Sequence, residues 1–505
     1  MKRLSFACLL LLVTPACNYA SIGPADTGPR AETGSIAATD PGAPPTVVSV
    51  RGLASISLTA AIDPSDNLPT FVYRGDYDVA PTIEVAPGDT IDVELSDGLP
   101  AGKGMASDVN LHFHGLGSSP MRPGDDVLTM LAKPFGSLHY VVHVPASQPP
   151  GLYWYHAHVH GETDYQVGQG GMSGALVVEG IAKRIPALAK LPEHVLMVRE
   201  LGTGAGDVVR AAAAPLPTAP PNTTPCAPLP GDTVLTVNRI LRPTIRVAPG
   251  RPEFFGVVNA TGHRFLDLSI DGAVLHVVAI DGYPVAAYPG NPASLTETHV
   301  LVAPAGRVEF VAAVSHAGYL RTACYDSGPI GDPDPAQTLV RLTPSGSGSV
   351  LAGSGAWESA SAPRSALVLP PPAADRVVRF SEKGGTIFYI NGKAFEPQAP
   401  PMFVVRTGTI ERWTVYNETS EVHDFHIHQV HFLVQTVDGK PVRRNVWRDT
   451  VVVPVRTRLA DGRWKPGGVT MLLDFRSPII KGTFVFHCHI LDHEDRGMMA
   501  KIQAI

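Results

Sequence analysis

With 505 residues the chain is too long for one ordinary core, and at roughly 150 residues per domain about three are expected. Only 17% of the residues are charged, while 49 glycines and 48 prolines suit many short strands joined by turns. A net charge of −6 argues for a soluble surface and against nucleic acid as a partner.

In chain order, residues 1–17 come first. They start with Lys2 and Arg3, continue as an apolar run through Val13 too short to span a bilayer, and end in small residues. That is the pattern of an export signal. Cys17, after Thr14-Pro15-Ala16, resembles a bacterial lipoprotein processing site, from which Pro15 departs; the other reading is cleavage near Ala20. Residues 18–45, rich in Gly, Ala, Pro, Ser and Thr, read as a flexible tether either way. The expected location is the periplasm or cell envelope, with a membrane tether if Cys17 is lipidated. No later stretch is long and apolar enough for a transmembrane helix.

The body carries an internal repeat. Pro81-Thr82-Ile83-Glu84-Val85-Ala86-Pro87-Gly88 recurs as Pro243-Thr244-Ile245-Arg246-Val247-Ala248-Pro249-Gly250, and more weakly as Pro401-Met402-Phe403-Val404-Val405-Arg406-Thr407-Gly408. Alternating residues running into a Gly turn predict a strand and a turn each time. Three antiparallel Greek-key β-sandwiches follow, at 46–182, 190–346 and 375–505, with a Ser/Ala/Pro-rich linker at 347–374.

The first copy holds His112-Phe113-His114-Gly115, then Pro123-Gly124-Asp125-Asp126-Val127, then His156-Ala157-His158 on a strand that starts at Gly151. The second copy aligns Gly318 through Tyr325 with that strand and keeps Cys324 but neither histidine. Cys324 therefore forms a disulfide, with Cys226 as partner in an exported protein, or packs in the core. Aligning Asn259 with Asn417 places Phe265, Leu268 and Ile270 opposite His423, His426 and His428, so the second copy reads as a spacer without metal. The third copy holds His423-Asp424-Phe425-His426-Ile427-His428, and later His487-Cys488-His489-Ile490-Leu491-Asp492-His493-Glu494-Asp495-Arg496-Gly497-Met498.

On a strand, Cys488 faces one way while His487 and His489 face the other. A thiolate with His493 and another histidine makes a blue-copper site, with Met498 as the weak axial ligand. The two flanking imidazoles can hold metals of a second cluster, a few bonds away. Zinc could use such imidazoles, but it has no redox chemistry to explain a thiolate wired to a cluster.

These four histidine motifs, in this order, resemble the multicopper oxidase (laccase-like) family over nearly the whole mature chain. The resemblance implies three cupredoxin domains and four coppers. The type 1 copper would take His423, Cys488, His493 and axial Met498. Type 2 copper would take His112 and His426. The type 3 pair would take His114, His156 and His489 on one copper, and His158, His428 and His487 on the other. Glu494 matches an acidic position that serves dioxygen reduction in related bacterial oxidases, and Asp125 or Asp126 would be a second proton relay. His160 and His431, close to ligands, are assigned to surface or packing.

The expected partners are O2 and a small reducing donor, docking near His423 or His493. The segment Asn445-Val446-Trp447-Arg448-Asp449-Thr450 resembles a family loop near that place. Phenols and aromatic amines are the usual donors of laccases; Cu(I) or Mn(II) is the rival, although no Met-rich insert is present. A reading of another class is a protein that sequesters copper without turnover.

Overall fold

Strand Leu53–Ile62 turns Ala54, Ile56, Leu58 and Ala60 inward and leaves their neighbours more exposed, as the two-residue period of a strand requires. Strand Gly467–Phe475 alternates in the same way at the other end of the chain. The computed structural model describes residues 40–77, 80–101, 107–201, 226, 234–346 and 368–505. The export signal, Cys17, most of the tether and residues 347–367 of the linker lie outside the described residues.

Among the described residues, three pairs of sheets follow one another along the chain, with a two-stranded ribbon of Thr457–Arg458 and Trp464–Lys465 besides, and the fold class is all-β. In the first pair, a five-stranded sheet runs in the order Thr46–Val48, Thr82–Val85, Ser173–Val178, Gly151–His156, His112–His114. It shares one apolar core with a four-stranded sheet built on Leu53–Ile62 and Thr90–Asp97. Each later pair combines a seven-stranded with a five-stranded sheet. We call these pairs the first, middle and third modules.

The repeat seen in sequence is a repeat of pairing. Thr82–Val85 lies parallel to Ser173–Val178, Thr244–Val247 to Gln337–Pro344, and Phe403–Val405 to Met499–Ala504. Each copy thus ties an early strand of its module to the last strand of the same sheet. Turn chemistry repeats as well. Asn259 Nδ2 donates to the carbonyls of Arg264 and Val302, and Asn417 Nδ2 to those of Glu421 and Val453.

The middle turn is one residue longer, reaching Arg264 five residues on where the third module reaches Glu421 after four. This corrects the alignment: Leu266, not Phe265, pairs opposite Val302 as His423 pairs opposite Val453. Leu268 pairs opposite Val300 as Phe425 pairs opposite Val451, so Ser269 and Asp271, not Leu268 and Ile270, fall level with His426 and His428. Leu266, Leu268 and Ile270 fill the middle core, whereas Phe265 packs with the third module's core and stacks on Tyr325. Cys226 and Cys324 form a disulfide with Cα atoms 5.4 Å apart, and Cys488 is the free cysteine among the described residues.

Candidate metal centre

The strand Gly482–His487 ends at His487, one residue before the cysteine. Cys488 and His489 follow it, and helix Leu491–Asp495 brings His493 back. Backbone bonds close this loop, with Cys488 N donating to Met498 O at 3.1 Å and Met498 N to His493 O at 2.9 Å. Although Cys488 lies past the strand, the expected division of faces holds. Its Sγ lies 3.6 Å from His423 Nδ1 and 3.9 Å from His493 Nδ1, and those nitrogens are 3.1 Å apart.

Met498 is fully buried in the same core. Burial holds His423 well below its ordinary pKa, helped by His493, and brings His493 down to about 3. Both imidazoles are therefore neutral and able to ligate. Thr419 Oγ1 holds the outer nitrogen of His423 at 3.0 Å, and the ring of Phe388 stacks on His493 at 4.0 Å. Asp424, which sequence reading did not single out, sets Oδ1 3.3 Å from Cys488 Sγ and accepts from His489 N at 2.5 Å.

On the other side, eight histidines from the first and third modules meet. His112 and His114 share one face of strand His112–His114, while Phe113 enters the core behind them. Register places His156 opposite His112, and His487 opposite His426. The modules interleave: His112 stacks on His428 at 3.6 Å and His114 on His426 at 3.9 Å. His487 Nε2 lies 3.2 Å from His428 Nε2 and 3.4 Å from His158 Nε2. Ligand atoms group within 4.8 Å as His158, His428 and His487; as His112, His426 and His428; and as His112, His114 and His156. His489 completes the cluster with ring centroids 5.2 Å from both His114 and His487.

Most of these rings are anchored on one nitrogen. His112 Nδ1 meets Asp125 at 3.0 Å, His156 Nδ1 meets Ala157 O at 2.8 Å, and His426 Nδ1 meets Asp449 O at 2.9 Å. Their opposite nitrogens, together with His114 Nδ1 and both ring nitrogens of His489, are buried without a hydrogen-bond partner. An unpaired buried polar atom costs about 1–3 kcal/mol. So many converging on one place fit a metal cluster, because an imidazole anchored at one nitrogen is oriented to ligate through the other.

Carboxylates border the cluster. Glu494 Oε2 lies 3.0 Å from His487 Nδ1, and its Oε1 lies 3.6 Å from His158 Nδ1 and 3.3 Å from Thr163 Oγ1. Burial works to raise its pKa, but His487 and His158 outweigh it and bring it to about 2. Asp125 accepts from Phe113 N at 3.1 Å and from Gln429 Nε2 at 2.7 Å, and burial pushes it up to about 7. Asp126 instead caps a turn, accepting from Leu128 N and Thr129 N at 3.1 and 2.9 Å. Of that pair, Asp125 is the one at the histidines.

Sequence reading missed Arg307, and named Asp449 only within the Asn445–Thr450 segment, without a role. It set the Asn445–Thr450 segment near His423 or His493, but Asp449 lies against the cluster, with Oδ1 3.3 Å from His114 Nε2. His431 is also part of this edge, with Nε2 3.7 Å from Asp449 Oδ2, whereas His160 packs edge-on to Phe395. The outer side of the thiol site is acidic: His493 Nε2 lies 3.7 Å from both Glu421 Oε1 and Asp492 Oδ1.

Residues 59–183 and 369–504 each match a family model described as multicopper oxidase. The chain belongs to the multicopper oxidase family, and copper is the metal that membership implies. It is 26% identical over 494 residues to the multicopper oxidase LPR1 homolog 1 of Oryza sativa subsp. japonica, covering 84% of this chain and 82% of that one. It is likewise 26% identical over 388 residues to the laccase of Bacillus subtilis, covering 71% of each. A solved structure of a Campylobacter jejuni multicopper oxidase, described as a metallo-oxidase, superposes with a TM-score of 0.68 at 21% identity. It covers 92% of this chain and 94% of that one, and this likeness carries the cupredoxin-like fold.

Proposed function

We propose that this exported oxidase couples one-electron oxidation of phenolic or aromatic amine donors to the four-electron reduction of O2 to water. Four coppers supply the redox chemistry when bound. His423, Cys488, His493 and Met498 would hold the type 1 ion. His112 and His426 would hold type 2, His114, His156 and His489 one type 3 ion, and His158, His428 and His487 the other. The observation that carries the reading is the convergence of unpaired imidazole nitrogens directly beside a buried cysteine.

The residues divide the work. Cys488 is bonded through the backbone to both His487 and His489, which gives electrons a short covalent route between the two sites. Glu494 holds a carboxylate between His487 and His158, with Thr163 behind it, and serves as the proton relay to the cluster. Asp125, hydrogen-bonded to His112, is the second relay. Cys17 is the proposed lipid attachment, which would place the enzyme at the cell envelope.

The test is copper content and an absorption spectrum on the purified protein, followed by oxygen consumption with a phenol. Four coppers, a blue band and sustained turnover are expected. Copper binding without turnover would mark a sequestering protein instead.

A second reading, oxidation of a metal cation such as Cu(I) or Mn(II), is favoured by Glu421. Its Oε1 is buried, has no hydrogen-bond partner and lies 3.7 Å from His493 Nε2. If this reading holds, Glu421→Gln lowers cation oxidation well beyond any change with phenols. Equal effects on both donors would reject it.

A further inference from the structure

The middle module carries none of the histidine motifs, yet one of its side chains reaches the cluster. Arg307 begins strand Arg307–Ala313 and is 1% exposed. Its guanidinium grips Asp449 of the third module with both arms, Nη1 donating to Oδ1 at 2.8 Å and Nη2 to Oδ2 at 2.6 Å. Nε reaches the Leu152 carbonyl of the first module at 3.4 Å, and Nη1 also donates to Ala305 O at 3.1 Å. Asp281, again from the middle module, accepts from Arg307 N at 2.9 Å and from Asp449 N at 3.3 Å. All three modules therefore meet at one carboxylate whose backbone and side chain are both fixed.

That carboxylate faces two histidines from different modules. Asp449 Oδ1 lies 3.3 Å from His114 Nε2, and Asp449 O accepts from His426 Nδ1 at 2.9 Å. The two rings stack with 17° between their planes, and each leaves its opposite nitrogen unpartnered, His114 Nδ1 and His426 Nε2. Gly115 shows how tightly this corner is built. A Cβ there would lie 2.6 Å from Arg307 Nη2 and 2.8 Å from Asp449 Oδ2, on a backbone with φ +87°. The chain leaving His114 passes so close to the ion pair that a side chain would displace it.

We propose that Arg307 is a positioning residue for the histidine cluster: through Asp449 it orients His114 and His426 toward the metals. The proposal rests on the copper reading above. The chemistry requires arginine. A planar fork fixes both oxygens of a carboxylate, while an ammonium offers a point charge and leaves the carboxylate free to rotate. With Asp449 fixed, His114 is held at Nε2 and His426 at Nδ1, so each presents one defined nitrogen inward. The middle module is thus more than a spacer, because the cluster made by its neighbours is aligned by its arginine.

The test is Arg307→Lys, which keeps the buried charge and removes the fork. Arg199→Lys is the control. Arg199 is also a buried arginine of the middle module bonded to the first, through Ser173, and it has no carboxylate at its guanidinium among its hydrogen bonds. Each copper-loaded protein is titrated with a chelator while the blue absorbance, the type 2 electron paramagnetic resonance signal and total copper are followed; thermal unfolding is measured on the copper-free forms.

Loss of an outer partner of a ligating histidine typically weakens metal binding ~10–100-fold. In Arg307→Lys the type 2 signal and part of the copper should therefore be lost at chelator concentrations lower by that factor, with the blue absorbance unchanged. Arg199→Lys should hold its copper like the parent. If Arg307→Lys keeps all its copper, or loses blue and cluster copper together with a fall in unfolding temperature, Arg307 is only a structural clamp and the proposal fails. A parent protein that binds no cluster copper would instead overturn the copper reading itself.

Discussion

At the scale of single residues, the division of faces around Cys488 decides what each substitution does. Cys488→Ser replaces a soft thiolate by a hard hydroxyl where a blue site needs sulfur. The expected result is loss of blue colour and turnover with the cluster coppers retained, read by absorption and copper analysis; a persisting blue band would reject the ligand set. Glu494→Gln keeps size and hydrogen bonding but cannot pass a proton. A positioned proton donor is worth ~10²–10⁴-fold in rate. Donor should still bleach the enzyme at the parent rate, while recolouring on admission of O2 slows by about that factor. Slow bleaching with fast recolouring would place Glu494 at the donor site instead. The histidine motifs were legible because their ligand types and spacings are local, and Glu494 was singled out only through the family resemblance. Asp449 was not, since its partners His114 and Arg307 lie 335 and 142 residues away in sequence.

Among the strands and turns, the repeated element foretold a strand three times, and the structure has that strand in all three modules, each time in a parallel pairing that the sequence did not foretell. Its failure was a single residue of register, because the turn after Asn259 is longer than the turn after Asn417 and no composition signal marks the extra residue. The consequence is that Ser269 and Asp271, not Leu268 and Ile270, fall level with His426 and His428, and the middle copy still has no histidine at these places. Cys324 sits beyond strand Gly318–Ala323 where Cys488 sits beyond Gly482–His487, but it is bonded to Cys226 and carries no flanking histidine. Cys324→Ser should lower stability by roughly 2–4 kcal/mol, the usual range for a native disulfide, in a denaturant titration. Copper per chain should not change. Loss of one copper from a folded variant would show a metal site in the middle module.

At the scale of the whole molecule, the modules are joined by buried charges. His194 of the middle module lies between Asp40, just ahead of the first module, at 2.6 Å and Glu253 at 2.7 Å. Burial alone would lower its pKa, but the hydrogen bonds to Asp40 and Glu253 win and raise it to about 9, above an ordinary 6.5. A pKa raised by folding contributes stability that is complete below the unfolded value and lost as pH rises through the folded one. His194→Gln should therefore unfold at a lower temperature than the parent at pH 6, and the difference should shrink as pH passes about 9. A difference that stays constant with pH would mean His194 acts by packing on Phe255 alone.

Docking of modules also separates what the chain's order of residues determined from what only the tertiary structure decided. A strand's two-residue period is local. It is enough to put His112 with His114, to divide Cys488 from its flanking histidines, and to show that the middle copy lacks the ligands. Which carboxylate meets a histidine depends on how the chain packs in three dimensions, and adjacent Asp125 and Asp126 cannot be told apart by spacing. Packing sends Asp125 to His112 and Asp126 to a turn. The same holds for Arg307, an unremarkable strand residue until the first and third modules close on it. Its meaning lies in contacts between residues far apart in the chain, and those exist only after all three cores have formed and met.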